Sequence, residues 1–136
     1  MNSKLMSSIK QHEGFSSTPY KDDKGVWTIG YGTNIENISD IEASFLLQHR
    51  VRNAQKDLKK AIDSEAYFDL SFNQKNALVE FMYWLGLPTF RKFKKMIKAI
   101  NERNYIEASR QMLDSRVGRE YKTRTTKLAN LLKGDS

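Results

Sequence analysis

Residues 14–34, GFSSTPYKDDKGVWTIGYGTN, are unlike the rest of the chain, and their reading decides the fold. Asp23, Lys24 and Gly25 supply turn chemistry, and Val26-Trp27-Thr28-Ile29 is a run of strand formers, so the stretch predicts a β-hairpin. Gly30 and Gly32 then permit turns that other residues resist. Upstream, Leu5, Ile9 and His12 recur at helical spacing and predict a short helix over residues 3–12. Downstream, Ser39 with Glu42 three residues later forms a capping box that opens a helix over 40–62, with Leu47, Val51, Ala54, Leu58 and Ile62 as its apolar stripe. A second box, Ser71 with Gln74, opens a helix whose apolar residues fall on nearly every face and which should be the buried centre. It stops at Gly86, with Pro88 just after. Three further helices are expected, over 89–101, 105–115 and 123–132. The expectation is an α+β, mainly α chain: a small β-hairpin lobe, about residues 14–38, carried by a helical body.

A length of 136 residues fits one domain spanning 1–136, and no repeat or linker divides it. The net charge of +7 is unevenly placed. Residues 1–68 hold nine basic and nine acidic side chains, and 69–136 hold fourteen and seven, so the second half carries the whole excess. Such a surface attracts polyanions, among which nucleic acid, an anionic cell wall and a membrane surface all qualify. No apolar run approaches the roughly 18 residues of a membrane span, and the first residues show no secretory signal. Cysteine is absent, which excludes disulfides and cysteine nucleophiles. With His12 and His49 as the only histidines, neither a metal nor a cofactor is expected.

Glu13 falls at the end of the first predicted helix, and Asp22 and Thr28 fall in the hairpin. A carboxyl on a helix end facing a second carboxylate on a turn is what glycoside hydrolysis needs. One group is protonated to donate to the leaving oxygen, and the other is ionised to activate water or attack the sugar. Spacing alone proves little, because 16 acidic residues offer many pairs and Asp is common in turns.

The surrounding residues add more. Glu13-Gly14, Tyr20-Lys21-Asp22, Gly25 and Thr28-Ile29-Gly30-Tyr31-Gly32 together resemble the signature of phage-type lysozymes, the endolysins of glycoside hydrolase family 24. Glu13, eight residues, Asp22, five residues and Thr28 fit that family's pattern without a gap. Ala77-Leu78-Val79-Glu80-Phe81, running on to Leu85-Gly86, resembles its central helix. Ser115-Arg116 and Arg124 resemble its C-terminal region, where relatives place an arginine beside the catalytic acid. The chain departs from the pattern at Trp84, where many relatives carry a polar amide, at Thr33, and in the basic run Arg91-Lys92-Phe93-Lys94-Lys95.

The resemblance implies a lysozyme-like fold and a muramidase, cleaving β-1,4 bonds between N-acetylmuramic acid and N-acetylglucosamine in bacterial peptidoglycan. Glu13 is then the general acid, Asp22 the ionised partner, and Thr28, which cannot titrate, holds the attacking water. That arrangement implies inversion at the sugar, with carboxyls about 6.5–9.5 Å apart. Tyr20, Trp84, Arg116 and Arg124 follow as substrate-binding or site-supporting residues, with Arg124 expected to orient the acid. Phe81, Tyr83 and Trp84 read as core, Trp84 being the one to reach a cleft. The basic run reads as a solvated helix face or a wall-binding patch. The last helix reads as packed on the body. A monomer is expected, made in a host cytoplasm without signal or anchor, released by a holin and acting at the periplasm and wall in host lysis. The second reading is a non-catalytic peptidoglycan-binding or scaffolding module on the same fold. A nucleic-acid partner is not expected, because no motif of that class is present.

Overall fold

In the computed structural model, which describes residues 2–134, the chain opens with α1 (Ser3–Glu13). Asn2 caps it, its side-chain oxygen accepting the Leu5 N–H at 3.0 Å. The helix ends where Gly14 turns aside at φ 70, its N–H returning to the Lys10 carbonyl. Three antiparallel strands follow in the order β1 (Ser16–Lys21), β2 (Trp27–Gly30), β3 (Thr33–Asn34). The expected hairpin therefore gains a short third strand. Tyr20 lies opposite Thr28 on one side, and Asn34 lies opposite Thr28 on the other, which puts Thr28 in the central strand. Glu36 completes the turn after β3 by accepting the Trp27 N–H at 3.1 Å.

α2 (Asp40–Ala61) starts at the predicted capping box. Ser39 Oγ accepts from Glu42 N–H, and Glu42 Oε1 accepts from Ser39 N–H, each at 3.1 Å. The chain divides within this helix into two compact units, Met1–Leu46 and Leu47–Ser136. The predicted stripe holds at Ala54, Leu58 and Ile62, which are buried, whereas Leu47 is half exposed. In the first unit Leu5 and Ile9 are also exposed, and Thr28 is its one buried residue among those described. So short a segment cannot enclose a core of its own.

The second unit holds α3 (Ser64–Asp69), α4 (Phe72–Leu85), α5 (Leu87–Phe90), α6 (Lys94–Asn101), α7 (Tyr105–Leu113), α8 (Arg116–Glu120) and α9 (Lys122–Lys133). The Ser71–Gln74 capping box is present at the start of α4. Gln74 also reaches out, its Nε2 donating to the Leu132 carbonyl at 3.1 Å. α9 packs on α4 and α7, and α6 packs on α7, around Leu58, Leu78, Phe81, Met82, Met96, Met112 and Leu132. Phe81 is the hub, with the rings of Trp84, Phe90 and Phe93 edge-on to it at 5.3–6.1 Å.

Two expectations are corrected here. The helix predicted over 89–101 is two helices, α5 and α6, separated by a turn at residues 91–93 that delivers Phe93 to the Phe81 ring. The central helix is also not closed on every face. Asn76, Glu80 and Tyr83, spaced four and three apart, form an open stripe along α4, and Tyr83 is 45% exposed where core was expected. Among the described residues no helix is long and apolar enough to cross a membrane. The mainly helical α+β architecture with its small sheet is the one the sequence implied.

Candidate active site

Glu13 is the last residue of α1, and its position is set by what lies beside it in the first unit. Gly32 adopts φ +76, and a Cβ built on it would stand 2.7 Å from Glu13 Oε2 and 3.0 Å from Glu13 Cδ. The carboxyl therefore rests directly against the Gly32 backbone, in space any side chain there would occupy. Tyr31 ties the same two segments together. Its ring lies 5.3 Å from that of Phe15, and the Lys10 ammonium sits 5.3 Å from its centroid. Glu13 and Tyr20, with Gly14, Phe15 and Ser16, line an open cleft of about 330 Å³.

Asp22 stands in the β1–β2 turn, and its carboxylate is used asymmetrically. Oδ1 accepts both the Lys24 and the Val26 N–H at 2.9 Å, while the Asp22 N–H donates to the Val26 carbonyl. These bonds spend one oxygen on the turn and leave Oδ2 without a protein donor among the described residues. The Thr28 hydroxyl donates to the Val26 carbonyl at 2.8 Å, and the side chain is buried. Its proton is engaged, so Thr28 can hold a water only by accepting from it. Val26 is thus the shared anchor of both hairpin residues.

In the second unit the structure brings Trp84 and Arg124 together. The Arg124 guanidinium lies 4.3 Å from the Trp84 ring centroid, and Tyr121 meets the same indole edge-on at 5.5 Å. The carboxylate that Arg124 holds is that of Glu80, at 3.0 Å. Glu80, Tyr83 and Arg124 then line a cavity of about 460 Å³ with Val51, Asn76 and Val79. Arg116 does not join this group. On α8 it pairs with Glu120 at 2.8 Å, which raises its pKa through that hydrogen bond and charge.

Sequence reasoning missed Gly32 as a seat for the Glu13 carboxyl, and Glu80 as the partner of Arg124. Both left a trace: Gly32 was legible only as a turn former, and Glu80 is the one charged side chain between Ala77 and Leu85.

The chain belongs to the phage lysozyme family, which it matches over residues 10–130. It is similar to two proteins of Dictyostelium discoideum. Probable T4-type lysozyme 2 is 28% identical over 159 aligned positions, covering 96% of this chain and 91% of that protein. Probable T4-type lysozyme 1 is 25% identical over 161 positions, covering 97% and 95%. The matched residues contain Glu13, Asp22, Thr28 and Arg124.

Proposed function

We propose that the chain is a muramidase, cleaving the β-1,4 bond between N-acetylmuramic acid and N-acetylglucosamine of bacterial peptidoglycan by an inverting route. The observation that carries the reading is the Glu13 carboxyl seated against Gly32, with Asp22 and Thr28 on the adjoining hairpin. Glu13 donates its proton to the glycosidic oxygen as the bond to the anomeric carbon breaks. A water attacks that carbon from the opposite face and gives its proton to Asp22 Oδ2, the oxygen not spent on the turn. Thr28 accepts a hydrogen bond from that water and orients it. Inversion requires the two carboxyls to stand about 6.5–9.5 Å apart, leaving room for the water.

Tyr20, Trp84, Arg116 and Arg124 are proposed as substrate-binding or supporting groups. The stacked Trp84–Arg124 pair suits a sugar face or a stem-peptide carboxylate. The whole chain acts as one catalytic monomer in phage-type host lysis, made in the host cytoplasm and acting at the wall after release by a holin.

Digestion of purified peptidoglycan, followed by release of reducing ends, tests the reading with wild type beside Glu13→Gln. The amide keeps the shape of the acid but has no proton to donate, so activity falls by about 10²–10⁴-fold or more. Wild type that binds sacculi and releases no reducing ends would instead establish a non-catalytic wall-binding module.

A further inference from the structure

The α5–α6 corner gathers five cations, Arg91, Lys92, Lys94, Lys95 and Lys98, in eight consecutive residues, and all five are exposed. Among the described residues none of them lies within 4.0 Å of a carboxylate oxygen, whereas Arg103, Arg110, Arg116, Arg119 and Arg124 of the same unit each do. Two grooves flank the corner. One, of about 390 Å³, runs along Lys92, Lys94 and Lys95 opposite Gln111 and Asp114. The other, of about 620 Å³, runs along Arg91, Lys94 and Lys98 opposite Asp63, Asn101 and Glu102. Lys94 lines both, so the cationic strip is continuous from groove to groove. The three carboxylates on the far walls do not balance five cations, and Asp114 already faces Arg119 at 4.0 Å.

We infer that this corner is a binding site for a flexible polyanionic chain of the bacterial wall, its five cations neutralising successive phosphodiester groups. Four of the five are lysines, mobile point charges that follow a ligand without fixed geometry, where arginine forks would select planar acids. Two open grooves joined at one residue suit a long ligand better than a compact one. The strip lacks what other polyanions ask for. Met96, Ala99 and Ile100 of α6 are buried in the core, and no large apolar side chain from residue 84 to 105 is strongly exposed. A membrane surface is therefore offered no wedge to insert. The one ring on the groove wall, Phe93, is half-buried with its edge against Phe81, so a single-stranded nucleic acid is offered no exposed platform on which to stack its bases. The site holds substrate-bearing wall near the enzyme and takes no part in bond cleavage. The inference rests on the muramidase reading only in naming the wall as the source.

The test is equilibrium binding of labelled poly(glycerol phosphate) to the full chain across a salt series. The comparison protein carries Arg91→Gln, Lys92→Gln, Lys94→Gln, Lys95→Gln and Lys98→Gln, with thermal unfolding as the check on its fold. Wild type should bind with a log–log salt slope of about −3.5, as for about five contacts to a flexible phosphate chain. The variant should lose most of that slope and at least about tenfold in affinity at physiological salt. If the fivefold variant does not fold, Lys94→Glu, at the residue shared by both grooves, should weaken binding by about fivefold or more. Unchanged binding in the folded variant overturns the inference. So does equal or tighter capture, through the same five residues, of a single-stranded oligonucleotide or of phosphatidylglycerol vesicles. Digestion of peptidoglycan stripped of phosphodiester polymers should be the same for both proteins. Failure of wild type in that arm would sink the muramidase reading and leave the binding result standing.

Discussion

Among the described residues up to Leu46 Thr28 alone is buried, whereas the unit from Leu47 onward encloses Leu58, Leu78, Phe81, Phe90, Ile100, Met112 and Leu132 almost completely. The first unit keeps its local shape through hydrogen bonds and backbone conformation: the Asn2 cap, the double acceptance at Asp22 Oδ1, the Glu36 bond to Trp27 and the left-handed glycines. The second keeps its shape through side-chain packing around α4. Each bond of the first unit contributes about 0.5–1.5 kcal/mol, whereas truncating a large core side chain costs several. The residues proposed for chemistry are thus concentrated where little stability is invested. Substitutions in the first unit should damage turnover and spare the fold, and those in the second should do the reverse.

Asp22→Asn gives the largest expected effect and the cleanest separation. The Asn side-chain oxygen can replace Oδ1 and keep both amide bonds of the turn, while the carboxylate that would take a proton from water is gone. Turnover on purified peptidoglycan should fall by about 10²–10⁴-fold, with unfolding free energy unchanged to within about 0.5 kcal/mol. Full turnover in this variant would remove Asp22 from the chemistry. Phe81→Ala is its mirror image. It removes the ring at the centre of three edge-on contacts and should cost about 3–5 kcal/mol in denaturant unfolding. Turnover per folded molecule should hold at temperatures where the variant stays folded. A Phe81→Ala protein that unfolds like wild type would contradict a core built around α4.

The same contrast decides what could be read from the sequence. The starts of α2 and α4 were legible because a capping box is complete within four residues. Glu13, Asp22 and Thr28 could be proposed together from the sequence because they fall on a short, uninterrupted pattern. α3, α5 and α8 were not, being four to six residues long and so too short to show a helical period. The open stripe Asn76, Glu80, Tyr83 was hidden for another reason. An apolar-rich helix does not announce which face its neighbours leave uncovered; that depends on how α9 docks. The Glu80–Arg124 pair joins residues 44 apart and exists only through that docking. Resemblance pointed to Arg124 and offered the catalytic acid as the carboxylate it orients, whereas the carboxylate it holds is that of Glu80, to which no role had been assigned.

Gly32 is where backbone conformation and the proposed chemistry meet most closely in the first unit, and it gives the smallest of the three effects. Gly32→Ala introduces a Cβ that would stand 2.7 Å from Glu13 Oε2, at a residue with φ +76. The positive φ costs an L-residue about 1–2 kcal/mol. The clash is with the far end of a flexible side chain, so Glu13 swings aside and the backbone stays. A displacement of about 1 Å in a catalytic group can cost up to about 10² in rate, so kcat should fall by about 10–10²-fold while KM changes little. Strain by itself is measured by Gly30→Ala, which has φ +68 and no atom within 4 Å of the added Cβ. Both variants should lose comparable thermal stability, since both place alanine in the left-handed region. Only Gly32→Ala should lose most of its kcat. Equal kcat losses in the two would mean that backbone strain, transmitted through the sheet, accounts for the effect, and Gly32 would then be a turn residue with no part in seating the acid.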